Sequence, residues 1–315
     1  MSKEVFTVAL EKYNGPSSRY PCPSCGKFRK FTRYIDVVTG EYIGRNVGLC
    51  DRVDSCGYHY TPKQYYEDNK IHLSSDQMSM RVEAAKRITK PKPKEPSYID
   101  YEAVTKSNSI VGPNTLEVFI ASIYGTSARR ILERYRLGSY NLWGEINPIY
   151  WQIDRAGMVR TGKVMRYDPA TGKRIKDKAA LHWYHALHKT KGFNMVQCLY
   201  GEHLLPYYPD KVVGVVESEK TALIAAIELN HILWLATGGK SNLSISKMNA
   251  LQDRRVILYP DAGSYDSWSI KADEISKVVS SISVSDLLER ETTAEQNGDD
   301  IADFLLLHRQ GGAIF

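Results

Sequence analysis

Val212-Val-Gly-Val-Val-Glu-Ser-Glu-Lys-Thr-Ala-Leu-Ile-Ala-Ala-Ile-Glu-Leu229 decides how the second half of this chain is read. Val212–Val216 is a short, unbroken apolar run, the pattern of a strand covered on both faces. Lys220–Leu229 sets Ala, Leu and Ile along one side of a helix. The alternation continues downstream. Ile232–Ala236 and Arg255–Tyr259 read as further strands, and Ser244–Gln252 and Ser267–Val279 as further helices. This order predicts a parallel sheet with helices on its faces, an α/β fold.

Upstream the pattern changes. Residues 98–205 predict helices at 115–123 and 127–135, then a β-rich stretch from Ile149–Ile153 through Met158–Tyr167. Asp168-Pro-Ala-Thr-Gly172 has turn composition. Residues 76–89 read as a polar helix. Lys90-Pro-Lys-Pro-Lys-Glu-Pro96 cannot enter a helix interior or a central strand, so it is an extended linker. In residues 1–70, Phe31–Val38 is a β-prone run, broken by Thr39-Gly40 and followed by Glu41-Tyr-Ile43, which predicts a hairpin. The expected division is 1–70, a linker region 71–97, a basic α+β subdomain 98–205, and the parallel-sheet domain 206–315.

Of the 315 residues, 43% are hydrophobic and 25% charged, the mixture of an ordinary globular protein. The net charge of +6 favours a phosphate-rich partner. Among Lys and Arg, some of the 21 tyrosines suit base stacking. No apolar run approaches the roughly 18 residues of a membrane span, so no membrane partner is expected. Met1-Ser2-Lys3-Glu4 lacks the apolar run of a signal peptide, which predicts a reducing cytoplasm.

Four of the five cysteines lie within residues 22–56. In a reducing compartment that clustering points to metal, not disulfides. Cys22-Pro-Ser-Cys25-Gly is a knuckle that aims two thiolates at one ion, and Cys56-Gly repeats half of it. Zinc held by Cys22, Cys25, Cys50 and Cys56 is therefore expected. His59 is the rival fourth ligand, because the gap between Cys50 and Cys56 is wide. Four protein ligands make the role structural. The fifth, Cys198, reads as a buried apolar residue. Lys27, Arg29, Lys30 and Arg33 interleave with Phe28, Phe31 and Tyr34, a pattern shared by single-stranded nucleic-acid surfaces and solvated strand faces.

The acidic residues fall at strand ends. Glu217 follows the first sheet strand, and Asp261 follows the third in Tyr259-Pro-Asp-Ala-Gly263. Asp266 opens the next helix, and Asp300 lies in Gly298-Asp-Asp-Ile-Ala-Asp303. Singly, such residues serve as turn, cap or helix-start acids. Jointly they offer hard oxygen ligands outside the carboxyl ends of parallel strands, where ligands bind in open α/β sheets. Mg²⁺ or Mn²⁺ is the cation expected.

The order strand–Glu-x-Glu-Lys-x-Ala-Leu–helix, strand–Pro-Asp-x-Gly, then Asp-x-x-Asp-x-Leu-Leu resembles the TOPRIM domain of bacterial and phage DNA primases. A zinc ribbon and a basic subdomain precede that domain in the family, as they do here. The resemblance implies a TOPRIM-type sheet, with Glu217 as general acid/base or metal neighbour and Asp261 and Asp300 as metal ligands. It departs at two places. Ser218 stands where the family has Gly, and Gly263 stands where it has a second Asp, a gap that Asp266 could fill. The resemblance further implies single-stranded DNA and nucleoside triphosphates as substrates, and a separate replicative helicase as partner. The rival readings are a TOPRIM nuclease and a non-catalytic DNA-binding replication or mobilisation factor.

Thr237-Gly-Gly-Lys-Ser241 lacks the first Gly of a phosphate loop, so it reads as a strand–helix loop, with Lys240 near phosphates. Arg160, Lys163, Arg166, Lys173, Arg174, Lys176 and Lys178 form the densest basic segment. Lys163, Arg166, Arg174, Lys176 and Lys220 are the cations expected to contact nucleic acid or nucleotide there. His182, His185 and His188 recur at intervals of three, without a nearby carboxylate or Cys, which favours a polar or base-stacking surface over a second metal.

Overall fold

The structure is a computed structural model and describes residues 8–37, 39–53, 55–71, 79, 94–177, 180–239, 242–293 and 298–309. Contacts divide the chain into two units, Met1–Pro93 and Lys94–Phe315. The expected helix at 76–89 and the first residues of the Pro/Lys linker lie almost entirely outside the described residues.

The first unit is an antiparallel sheet of β1 (Val8–Leu10), β2 (Phe31–Asp36), β3 (Gly48–Cys50) and β4 (His59–Tyr60), in that order. The hairpin after β2 closes where Asp36 N–H donates to the Glu41 carbonyl at 2.8 Å and Gly40 N–H to that of Asp36 at 2.8 Å. Helix α1 (Pro62–Asp68) starts at a reciprocal cap between Thr61 and Gln64, with Pro62 at its first turn. Among the described residues the buried apolar core is Cys22, Phe31 and Cys50 packed together, with Val47 buried besides. So small a core cannot hold a fold by burial alone.

The second unit contains two sheets. Helices α2 (Glu102–Asn108), α3 (Thr115–Tyr124) and α4 (Arg129–Arg134) precede an antiparallel meander of β5 (Leu137–Leu142), β6 (Glu145–Ile153), β7 (Val159–Met165) and β8 (Leu181–Trp183). Trp143 and Gly144 join β5 to β6 with φ of 57° and 80°. Positive φ at both turn positions matches the right-handed twist of a hairpin. Short helix α5 (Tyr184–Leu187) follows β8.

The parallel sheet has the order β10 (Leu233–Ala236), β9 (Val213–Val216), β11 (Arg255–Leu258) and β12 (Ser281–Val284). Helix α6 (Glu219–Glu228) follows β9, α7 (Ile245–Met248) follows β10, and α8 (Tyr265–Ile275) follows β11. Helices α9 (Leu287–Glu291) and α10 (Ile301–Arg309) close the described chain. All four β9 residues are buried, as are seven of the ten in α6. A helix apolar nearly all round must be covered on several sides; α6 packs against β10 on one side and α10 on another.

One core joins the two sheets. Tyr150, Met165, Leu199 and Tyr200 pack in the same cluster as Val215, Trp234 and Leu235. Tyr200 and Ala236 exchange backbone hydrogen bonds at 2.9 and 3.1 Å, and the Tyr135 hydroxyl donates to the Trp234 carbonyl at 2.9 Å. Segments 98–205 and 206–315 are thus packed as a single body. Among the described residues, no helix is long and apolar enough to cross a membrane.

His203 lies in this body and donates from Nε2 to the Arg134 carbonyl at 3.1 Å. Burial pushes its pKa down to about 4. The unfolded chain therefore binds a proton between about pH 6.5 and 4 that the folded chain refuses, and stability falls as pH drops through that window. Thermal melts should decline more steeply there for the native chain than for His203→Gln, by on the order of a few degrees. Parallel slopes would remove His203 as the cause.

Candidate functional site

β9 lies between β10 and β11, so the carboxyl ends of β9 and β11 are direct neighbours. Tyr259 N–H donates to the Val215 carbonyl at 2.8 Å, which carries the pairing to the strand ends. Glu217 and Asp261 follow those ends, and both line a cleft of about 970 Å³. The lining carries six carboxylates: Glu217, Glu219, Asp261, Asp299, Asp300 and Asp303. It also carries the cations Lys163, Lys173, Arg174, Lys176 and Lys220.

Two backbone bonds bring the C-terminal segment to this edge. Ala262 N–H donates to the Asp299 carbonyl at 2.9 Å, and Gly298 N–H to that of Ala262 at 3.0 Å. Asp300 Oδ1 then accepts from Ala302 N–H at 2.8 Å and Asp303 N–H at 3.1 Å, so Asp300 caps α10. Its Oδ2 accepts from the Thr221 hydroxyl at 2.5 Å. Burial raises Asp300 above the usual carboxylate range, and the charge of Asp303 raises it further. Asp299 is raised by the same two causes in the same order.

Asp266 does not join this group. It is exposed on the first turn of α8 and is absent from the cleft lining. The start of that helix is served by Glu289, whose Oε1 accepts from Gly263 N–H at 2.8 Å and Tyr265 N–H at 3.2 Å. The expectation that Asp266 replaces the carboxylate absent at Gly263 is therefore corrected. Asp299 and Asp303 are the extra carboxylates on the cleft. They stand beside Asp300 in Asp299-Asp-Ile-Ala-Asp303, and that crowding was the available signal.

The expected cations separate by environment. Arg174, Lys176 and Lys220 line the cleft, and Lys220 also donates to the Gly172 carbonyl at 3.3 Å. Lys163 is nearly buried; its ammonium lies 2.6 Å from Glu219 and donates to the Gly238 carbonyl at 3.2 Å. Gly238 has φ of 81°, and a Cβ there would meet Glu219 Oε1 at 3.1 Å, so only glycine fits without strain. Arg166 pairs with Glu145 at 2.5 Å and does not line the cleft. Lys240 lies outside the described residues. Glu219 stands in the Glu-x-Glu-Lys motif but has no role legible in the sequence, because a buried acid on the first turn of a helix is recognisable only with its partner.

In the first unit the sulfurs of Cys22, Cys25, Cys50 and Cys56 all lie within 4.8 Å of one another. Cys22 and Cys56 Sγ are 3.7 Å apart. Zn–S bonds of about 2.3 Å at tetrahedral angles place sulfurs about 3.8 Å apart, so four soft donors at this spacing fit zinc. A hydrogen bond from the Lys27 backbone lowers the Cys25 thiol to about 6. His59 is engaged elsewhere: its Nε2 is 3.0 Å from the Tyr34 hydroxyl, and the two rings stack. Lys27, Arg29 and Lys30 are exposed beside Phe28, which is 77% exposed. Arg33 instead lies 3.8 Å over the Tyr20 ring.

Comparison with known proteins gives two family matches. Residues 6–71 match a model described as a zinc beta-ribbon finger. Residues 114–262 match a domain of unknown function (DUF6371). No curated protein matches the chain. Solved structures similar to it include bacterial and phage primases. The primase fragment of the bacteriophage T7 primase-helicase is 12% identical, with 93% of this chain and 95% of that one covered and a TM-score of 0.41. The Aquifex aeolicus primase, with its zinc-binding and RNA polymerase domains, is 15% identical, covers 95% and 77%, and has a TM-score of 0.45. The catalytic core of E. coli primase is 11% identical, covers 67% and 74%, and has a TM-score of 0.41.

Elemental analysis should find one zinc per chain, lost in Cys56→Ser and kept in His59→Ala; the reverse outcome would make His59 the ligand. The Lys163–Glu219 pair should behave as a buried ion pair. Glu219→Leu alone should cost about 3–5 kcal/mol in denaturant unfolding, because it strands a buried ammonium. Adding Lys163→Met should restore most of that loss.

Proposed function

We propose that the chain is a primase-like nucleotidyltransferase of the TOPRIM type, acting on single-stranded DNA with a divalent metal. The observation that carries this reading is the cleft itself. Carboxylates from β9, β11 and the C-terminal segment share it with Lys173, Arg174, Lys176 and Lys220. Hard oxygen donors suit Mg²⁺ or Mn²⁺, and the cations suit a triphosphate.

In this reading Glu217, Asp261 and Asp300 would hold the metal, with Asp299 and Asp303 adding negative charge in place of the carboxylate absent at Gly263. Bound there, the ion would act as a Lewis acid on phosphate oxygens. Lys220, Arg174 and Lys176 would bind and orient the triphosphate of the incoming nucleotide. Glu217 would accept the proton of the attacking 3′-hydroxyl as its oxygen bonds to the α-phosphorus and pyrophosphate leaves. The ribbon, held by structural zinc, would engage the template through Lys27, Phe28, Arg29 and Lys30. Cytoplasmic work beside a separate replicative helicase fits this role. Gly263 favours one second reading, a DNA-binding replication or mobilisation factor without polymerase activity.

Two measurements test the reading. Labelled nucleotides should be incorporated on single-stranded templates with Mg²⁺ or Mn²⁺, and Asp261→Ala should lower incorporation by about a hundredfold or more. Binding without incorporation would select the second reading, and template degradation would select a nuclease. Affinity for single-stranded DNA should fall steeply with salt, as counterion release requires. A flat salt dependence, or no binding at low salt, would remove nucleic acid as the ligand.

A further inference from the structure

We propose that the free edge of the antiparallel sheet carries a base-stacking track for single-stranded nucleic acid, built from Trp183, His185 and Phe193. The proposal rests on the nucleic-acid reading above and adds to it a site outside the acidic cleft. Among the described residues β8 pairs with β7 alone, which makes it an edge strand. Trp183 sits opposite Lys163, and Leu181 opposite Met165. Residues directly opposite in an antiparallel pair share a face. Lys163 and Met165 line the cleft, so Trp183 stands on the cleft's face of the sheet, one strand further out.

From Trp183 the rings continue as a row. His185 lies 6.5 Å from Trp183 with 28° between the planes, and 4.5 Å from Phe193 with 9° between them. His185 Nδ1 is 3.2 Å from the Thr161 hydroxyl, which fixes the imidazole on the sheet. The loop folds back because Thr190 N–H donates to the His185 carbonyl at 3.0 Å and Phe193 N–H to that of Thr190 at 3.4 Å. All three rings are half-buried, not sealed in the core. Burial also keeps the His185 pKa below its ordinary value, so the ring is neutral, and a flat apolar surface, at physiological pH.

The charge around the row selects the occupant. Lys189 and Lys191 are exposed on the loop between His185 and Phe193. Residues 180–201 contain no Asp or Glu. Near-parallel planar rings accept further planar rings, and every base has such a face. Exposed ammonium groups beside them suit a phosphate backbone, and the segment that carries the rings supplies no carboxylate of its own. An acidic peptide would use the lysines but not the row of rings.

The full chain should be titrated with a labelled oligothymidylate of roughly 20 nucleotides, following anisotropy. Trp183→Leu and Phe193→Leu keep apolar bulk and remove the aromatic face. Each should weaken binding about tenfold while leaving the slope of log affinity against log salt unchanged, since no phosphate contact is lost. An oligonucleotide carrying 5-iodouracil should crosslink to Trp183 or Phe193 in the unaltered chain, which does not depend on any variant folding. Affinities within twofold of the unaltered chain, or crosslinks mapping only to other segments, would overturn the track and leave the nucleic-acid reading standing. Binding of an acidic peptide but no DNA would overturn both.

Discussion

A buried ammonium–carboxylate contact, Lys163 to Glu219, is the joint on which the second unit depends. Lys163 belongs to the antiparallel sheet and Glu219 to the first turn of the helix after β9. Neither charge can be left alone in a low-dielectric interior, so each fixes the position of the other. The same ammonium holds the Gly238 carbonyl, while Gly238 N–H donates to the Glu217 carbonyl at 2.9 Å. A chain of contacts therefore runs from one sheet, through the loop after β10, to the backbone that presents Glu217. The contact adds little net stability of its own; it specifies how the two sheets meet.

What the sequence makes legible follows from burial. β9 and β10 are unbroken apolar runs, and β11 is one after its exposed Arg255; such runs need no partner to be recognised. β12 escapes a reading of the sequence because Ser281-Ile-Ser-Val284 is a short edge strand, half-exposed and without an apolar run. Its presence changes neither strand end that carries Glu217 or Asp261. The C-terminal helix escapes as an element, although the acidic cluster that opens it is legible. The turn before it is held at the sheet edge by two backbone bonds between Ala262 and residues 298–299. Backbone bonds of that kind carry no residue signature. Asp266 fails for a related reason: five residues of spacing cannot say on which side of a helix a carboxylate emerges.

The first unit depends on different physics. Among the described residues, four buried apolar side chains and a few half-buried rings leave little apolar area to stabilise it. Its four sulfurs are correspondingly close, and metal coordination would replace burial as the main source of stability. There the sequence is most informative, because ligand spacing is a local property. It does not identify the fourth ligand, since Cys56 and His59 are near neighbours in the chain. The structure separates them by what each side chain touches.

The cleft has one more property, set by the peptide backbone. Helix α6 begins beside Glu217 and Glu219, and α10 begins at Asp300 and Ile301, so two helices start at the same cavity. The amino end of a helix carries about half a positive charge, and two together carry roughly one. Bare backbone of this shape would attract phosphate and repel a divalent cation. Without Asp299, Asp300 and Asp303 the lining would set three carboxylates against five side-chain cations, and the two helix starts would tilt the field further towards positive. The crowding of Asp299, Asp300 and Asp303 at the start of α10 is then a counterweight, which brings the charge of the lining back close to balance.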